Sequence, residues 1–433
     1  MPPRTDGSTA VVLSGSTERS GWRLADWLAW QEQLNPRAIE LGLDRSRTVA
    51  ERLGLLALPC VTATIAGTNG KGSSTTLAAG IWRAAGYRVG RYLSPHLLRY
   101  NERIAVDGVE ATDAEICRAF AAIDAARGEL PLTYFEFGTL AALWLFRAAG
   151  CQVQVLEVGL GGRLDAVNII DADAALITNI GLDHTDWLGP DRDSIAREKA
   201  GICRAGRPAI CAEREPPAGL AAEVLRLGAR WIAAGQHYEV ARSAAGWRWV
   251  GEGADYPDLA LPALPGAFQI DNAAGVLALI TALQPTLPVS SAAIDAGLRG
   301  LALAGRYQRH EDLILDVGHN VEAATALAAQ LRAEPAAGKT LLVLGMLADK
   351  PVAGVCAVLA SVVDQVWCTS LPPPRGLGDD RLAGIVRAAG LVAVAAGSVA
   401  EAITAARAAA APGDRIVVCG SFLTVAAALE YRG

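Results

Sequence analysis

The chain has little of what would place it at a membrane, on a nucleic acid or in an oxidising compartment. Apolar runs stay near the eleven residues from Ala273 to Leu283, short of the roughly 18 needed to span a bilayer. Lysine and arginine number 39 against 45 aspartates and glutamates, a net charge of −6 with no block of like charge. Electrostatic binding to nucleic acid or anionic lipid is therefore not expected. The eight cysteines make no C-x-x-C pair and no zinc-like cluster, so buried, reduced thiols in a cytoplasm are the expectation. The first residues, MPPRTDGSTA, lack a basic region followed by an apolar stretch, and no secretory signal is read there. What remains is a soluble, cytoplasmic protein whose 433 residues exceed one ordinary core, so two domains are expected.

The richest stretch is Thr64 to Ser74, TIAGTNGKGSS. A β-prone run, Cys60 to Ala66, enters a loop with Gly67, Gly70 and Gly72, and a helix-compatible run follows from Ser73 to Ala85. Strand, glycine-rich loop and helix make a phosphate cradle: backbone N–H groups approach the anion and the helix N-terminus adds partial positive charge. Lys71 would reach the outer phosphates. The strict P-loop pattern is not met, because Ile65 stands at its first glycine and Gly72 follows Lys71, so the loop is a variant. Its plain alternative is an ordinary strand-to-helix turn.

Further β-prone runs recur at Val89 to Leu93, Gln152 to Val158, Ala174 to Asn179 and Pro208 to Ala212, with alanine-rich helical stretches such as Asp113 to Arg127 and Gly138 to Ala149 between them. Such alternation predicts a mostly parallel sheet covered by helices, with ligands beyond the carboxyl ends of the strands. Tyr238 to Val250 reads as an accessory β-hairpin. After LALAGRYQRH, the runs LILDVGHN, TLLVLGML, QVWCTS, LVAVAAG and RIVVCGS give about five strands of a second domain. The fold class is thus α/β: an N-terminal P-loop-type domain over 1–303 and a C-terminal Rossmann-like domain over 304–433.

Four polar features follow predicted strand ends. Ser94 lies beside the loop, Glu157 ends an apolar strand ahead of Arg163, Asp165 and Asn168, Asp183 and His184 follow another strand, and Lys199 sits on a helical segment. A carboxylate at Glu157 suits a hard cation beside a triphosphate. Taken singly, each has a plain rival: Glu157 as the cap of a neighbouring helix, His184 as a hydrogen-bonded loop histidine, and Lys199 as a solvated surface lysine, the reading its residue type favours without context.

The strings GTNGKGS, SPHL-x-x-YNERI, TYFEFGTL, LEVGLGGRLDAVN, GLDHTDWLG and REKAGI, with GRYQ, LDVGHN and GMLADK in the second half, resemble the bifunctional dihydrofolate synthase/folylpolyglutamate synthase family of the Mur ligase superfamily. One departure is Gly318, where the family usually has alanine. The resemblance implies that ATP phosphorylates a substrate carboxylate and that the amino group of L-glutamate attacks the acyl phosphate. It implies nucleotide contacts from Gly67, Thr68, Asn69, Gly70, Lys71, Gly72, Ser73, Asn272, Arg306 and Asp316. Magnesium at two sites is implied, with Ser94, Glu157 and His184 as ligands of one and a carbamylated Lys199 helping to set the second. Spacing alone would leave manganese or zinc open, since histidine is an unusual magnesium ligand. Thr133, Phe135, Asp165, Ala166 and Asn168 match dihydropteroate-contacting positions, and Lys71, Lys199 and His319 are the implied catalytic residues. The implied partners are small molecules (dihydropteroate, reduced folates and L-glutamate) and the implied state is a monomer. The rivals are a murein-precursor ligase acting on a UDP-linked peptide, for which the ~60 residues before the loop are too few to form the usual extra domain, and a non-enzymatic nucleotide switch.

Overall fold

A computed structural model describes residues 19, 21–35, 40–243 and 246–431. The first sheet contains β1 (Val61–Ala66), β2 (Val89–Tyr92), β3 (Ile104–Val106), β4 (Val109–Glu110), β5 (Val153–Glu157), β6 (Ala174–Ile177), β7 (Pro208–Cys211) and β8 (Arg230–Ala233). Their order is β4-β3-β2-β5-β1-β6-β7-β8, parallel from β2 to β8, with β3 and β4 turning back antiparallel at one edge. The central strand β1 has parallel neighbours on both sides, β5 and β6. Helices cover both faces, so five of its six residues are buried, including Thr62, whose hydroxyl accepts from Gln154 Nε2 at 2.8 Å. A strand buried on both faces need not alternate in polarity.

One face of this sheet packs against helices Leu24–Leu34, Asp113–Arg127 and Tyr134–Ala149 through Trp27, Phe120, Phe137 and Phe146. The other packs against Lys71–Ala84, Ala267–Leu283 and Ser291–Arg299 through Ile65, Trp82, Leu277 and Ile294. Each such fully buried side chain contributes about 1.5–3 kcal/mol of transfer free energy. The expected hairpin is corrected to a three-stranded antiparallel sheet, β9 (Tyr238–Arg242), β10 (Trp247–Gly251) and β11 (Ala254–Leu259). The added strand buries the other edge of Trp249, whose ring lies between Tyr238 and Tyr256. Residues 244–245 of the expected turn lie outside the described residues.

The C-terminal sheet has six strands rather than five: β12 (Gln308–His310), β13 (Leu313–Asp316), β14 (Thr340–Leu344), β15 (Gln365–Cys368), β16 (Val392–Ala395) and β17 (Arg415–Cys419), ordered β12-β13-β17-β14-β15-β16. The extra strand, β12, is a short antiparallel edge with only three residues, too little apolar pattern to read as a strand. Helices on both faces complete an α/β domain. The carboxyl ends of β1, β5 and β6 in one sheet and of β13 in the other border a common cleft.

Candidate active site

The loop between β1 and helix Lys71–Ala84 is shaped by its glycines. A Cβ on Gly67 would lie 1.7 Å from Thr178 Oγ1, the hydroxyl that donates to Asn69 O at 2.6 Å. Gly70 has φ +80° and caps the helix, and a Cβ there would stand 2.4 Å from Asn272 Oδ1. Left-handed backbone and close approach both require glycine here. Asn179 Oδ1, from the loop after β6, accepts from Asn69 N at 2.7 Å and Thr68 N at 3.2 Å. Lys71 curls back to donate to Gly67 O at 3.0 Å and Thr68 O at 3.1 Å. Burial pushes its ammonium down in pKa, against the charges of Glu157 and Asp183.

Glu157 pairs in register with Ile65, which sets its carboxylate beside the start of the loop. Its Oε2 accepts from Ser94 N at 3.0 Å, and burial raises its pKa. Ser94 Oγ is buried with no hydrogen-bond partner. His184 holds a left-handed φ of +53° after β6, and burial pushes its imidazole down to about 4, so it is neutral and fit to ligate at physiological pH. Among the described residues no three His, Cys, Asp or Glu side chains cluster closely enough to hold an ion. A cation here needs the orphaned hydroxyl and phosphate oxygens beside Glu157 and His184, and this donor set suits a nucleotide-borne divalent ion.

Lys199, on helix Arg192–Ala200, is 4% exposed and donates to the same Gly67 O at 3.0 Å. Burial, and then the charge of Lys71, pushes it down to about 7. Two amines thus converge on one carbonyl oxygen.

The C-terminal domain closes the other side. Asp316 accepts from Gly318 N at 2.7 Å and Tyr307 N at 2.9 Å. A Cβ on Gly318 would lie 2.8 Å from Asp316 Oδ1, so glycine eases this turn. Arg306 lies over the Phe422 ring, 5.3 Å from its centroid. His319 directs Nδ1 to Val317 O at 2.8 Å and Nε2 toward Asp183 Oδ2 at 3.6 Å.

Lys350, not singled out from the sequence, joins the halves together with Asp183 and Asn320, which the sequence marks as polar residues of their motifs without a site role. Lys350 Nζ donates to Asp183 Oδ1 at 2.6 Å, and Asn320 exchanges amide hydrogen bonds with Asn69 at 3.0 and 3.2 Å. Although burial opposes it, His319, His184 and Lys350 hold the Asp183 carboxyl far below the ordinary range. Their signals were the polar residues inside GLDH, DVGHN and GMLADK, whose mutual contact no spacing reveals.

The five expected pterin positions do not line this cleft. Thr133 caps helix Tyr134–Ala149, and Asp165 caps a short 3₁₀ turn while also accepting from Leu160 N at 2.8 Å. Asn168 donates to Arg163 O and Gly201 O at 2.9 and 3.0 Å. Phe135 lies directly behind Gly159, which does line the cleft, and packs on Tyr92 with ring centroids 6.0 Å apart. Burial, partly offset by backbone N–H groups, raises Asp165 to about 7.

The whole cleft encloses about 1130 Å³ and brings together the loop, Ser94, Glu157, His184, Lys199, Asn272, Arg306, Asp316 and His319. A glycine-rich strand-to-helix loop thus faces a second α/β domain across one cleft, the layout of an enzyme that acts on a phosphate-bearing ligand. Residues 65–216 match the Mur ligase middle domain, and residues 304–422 match the Mur ligase glutamate ligase domain. The dihydrofolate synthase/folylpolyglutamate synthase of Escherichia coli strain K12 is 45% identical over 96% of both chains. That of Haemophilus influenzae is 38% identical over 93% of this chain and 96% of its own. A solved structure of E. coli FolC in complex with DHPP and ADP superposes with a TM-score of 0.90 at 45% identity, covering 95% of this chain and 97% of that one. A bifunctional enzyme solved with Mn, AMPPNP and L-glutamate gives a TM-score of 0.87 at 44% identity, covering 95% and 99%. The chain belongs to the dihydrofolate synthase/folylpolyglutamate synthase family of Mur ligases.

Proposed function

We propose that this protein is an ATP-dependent ligase that joins L-glutamate to dihydropteroate and extends reduced folates with further glutamate. The observation that carries this reading is the convergence of Lys71, Lys199, Ser94, Glu157 and His184, from five segments, around the carboxyl ends of β1, β5 and β6. Relatives solved with ADP, DHPP, AMPPNP, Mn and L-glutamate support the same ligands here.

A carboxylate is a poor electrophile. Transfer of the terminal phosphoryl of ATP to it gives ADP and an acyl phosphate; the amine of glutamate then attacks the carbonyl carbon and phosphate leaves with the C–O bonding pair. Lys71 leaves its loop carbonyls to neutralise charge on the transferred phosphoryl, the electrostatic contribution expected to dominate. Ser94, Glu157 and His184 would hold one divalent ion, which supplies further charge neutralisation. Lys199, as a carbamate, would present an anionic oxygen toward a second. Asn272, Arg306 and Asp316 hold the nucleotide, while Thr133, Phe135, Asp165, Ala166 and Asn168 stand behind the cleft lining and would act on the pterin only through the thin wall at Gly159, which Phe135 backs. His319 directs Nδ1 to Val317 O, and its Nε2 stands in the cleft 3.6 Å from Asp183 Oδ2. There it can take the proton released by the attacking amine, with Asp183 stabilising the imidazolium.

The domain boundary falls near Ala304, and the enzyme works as a monomer in the cytoplasm. No helix among the described residues is long and apolar enough to cross a membrane. The test is ADP release by purified protein with L-glutamate and either dihydropteroate or tetrahydrofolate, with mass analysis of the product. Mass gain of one glutamyl residue on both acceptors is expected; nucleotide hydrolysis without an amide product would defeat the reading.

A further inference from the structure

The cleft wall carries one hydrogen-bond donor that the ligase reading leaves unused. His96, two residues after Ser94, lines the cleft, and its Nδ1 accepts from Arg103 Nε at 2.8 Å. A guanidinium N–H can only donate, so the ring proton is fixed on Nε2. Among the described residues His96 makes no other hydrogen bond, leaving Nε2–H for a ligand. Behind it, Arg103 is 8% exposed, with its guanidinium 5.3 Å from the Tyr100 ring centroid and 5.5 Å from that of Tyr134. The ion pairs of the described residues supply it no carboxylate. A buried cation without a counter-charge is costly, and an anion nearby relieves that cost.

The position of His96 limits what that anion can be. The Ser94 and His96 Cα atoms cannot lie more than about 7 Å apart and both residues line the cleft; on the proposed reading, in which Ser94 helps hold the ion at the transferred phosphoryl, this puts Nε2–H within reach of the surroundings of the reacting acyl group. In dihydropteroate those surroundings are benzene-ring carbons, which accept no hydrogen bond. In a glutamyl folate they contain the amide oxygen and the second carboxylate of the terminal glutamyl residue. The positive charge of Arg103 behind the imidazole favours the carboxylate.

We propose that His96, held by Arg103, donates Nε2–H to the non-reacting carboxylate of the substrate's terminal glutamyl residue, and so serves folate extension but not the first glutamylation. The inference rests on the bifunctional ligase reading. It is tested with His96→Phe and His96→Gln, comparing KM and kcat for tetrahydrofolate and dihydropteroate, with nucleotide affinity as the control for folding. His96→Phe is expected to raise KM for tetrahydrofolate roughly 10-fold or more, the size of one hydrogen bond to a charged group. KM for dihydropteroate should stay within about 2-fold, because that substrate forms no such bond. His96→Gln, which keeps an N–H donor, should fall between His96→Phe and wild type. Equal losses on both substrates, or no loss on either, in variants that bind nucleotide normally would overturn the proposal. Wild-type protein inactive on both substrates would instead defeat the ligase reading itself, and the proposal with it.

Discussion

Replacing Lys199 by arginine separates a reactive lysine from a merely buried one. Carbamate forms when the lone pair of a neutral amine attacks carbon dioxide and the nitrogen releases a proton, so the neutral fraction sets the supply. Burial and the neighbouring Lys71 charge lower Lys199 from 10.5 to about 7. At pH 7 about half of such amines are neutral, against about one in three thousand at the ordinary value. Arginine stays protonated at all accessible pH and cannot form the carbamate. Lys199→Arg is therefore expected to lose at least ~10²-fold in turnover, comparable to removing one charge-stabilising group. ¹³C-labelled bicarbonate should give wild-type protein a carbamate resonance that the variant lacks. Wild-type turnover in Lys199→Arg, or no labelled carbon on wild-type protein, would refute the reasoning. The same pKa makes a statement about stability. With the folded pKa lowered, the penalty for burying a charged amine is fully present below pH ~7 and is relieved as pH rises toward the unfolded value. That difference corresponds to at most about 5 kcal/mol, at 1.36 kcal/mol per tenfold. Lys199→Met should therefore be inactive yet melt higher than wild type at pH 6, with the gap closing at alkaline pH.

Lys71→Ala should retain its fold, by circular dichroism, and lose at least ~10²-fold in turnover; near-normal turnover would remove Lys71 from the mechanism. Gly70→Ala should cost about 1–2 kcal/mol for its left-handed backbone, and its clash with Asn272 should also weaken nucleotide binding, as read by denaturation and titration with ATP. Phe135→Ala should weaken dihydropteroate use by roughly 1–3 kcal/mol if the ring stacks on the pterin, with ATP affinity little changed; unchanged kinetics would return Phe135 to a packing role behind Gly159. Lys350→Met strands the buried Asp183 carboxylate, at a cost of about 3 kcal/mol, and should loosen the two domains enough to raise protease sensitivity near the domain boundary; an unchanged digestion pattern would count against the contact as a clasp.

Much of this molecule follows from local sequence. The strand, glycine-rich loop and helix around Lys71 are dictated by a β-prone run, three glycines and a helix-compatible continuation, all within the 26 residues from Cys60 to Ala85. The five main strands of the C-terminal sheet are similarly marked by short apolar runs between helical ones. Strands β3, β4 and β12, with two or three residues each, carried no readable pattern because their partners in the sheet, not their composition, make them strands. Helix Tyr134–Ala149 starts at the Thr133 cap, earlier than its alanine-rich run suggests. Residue types also marked Ser94, Glu157, His184 and Lys199 as polar groups at strand ends.

What sequence order cannot supply is distance between segments. Only the strand order, with β5 inserted between β2 and β1, sets Glu157 against Ser94, 63 positions earlier in the chain. Lys199 meets Gly67 across 132 positions, and Asn320 meets Asn69 across 251. The low pKa of Lys199, the orphaned hydroxyl of Ser94 and the ion pair of Lys350 with Asp183 all arise from these contacts. They are consequences of desolvation and proximity, and both properties exist only once the chain has folded.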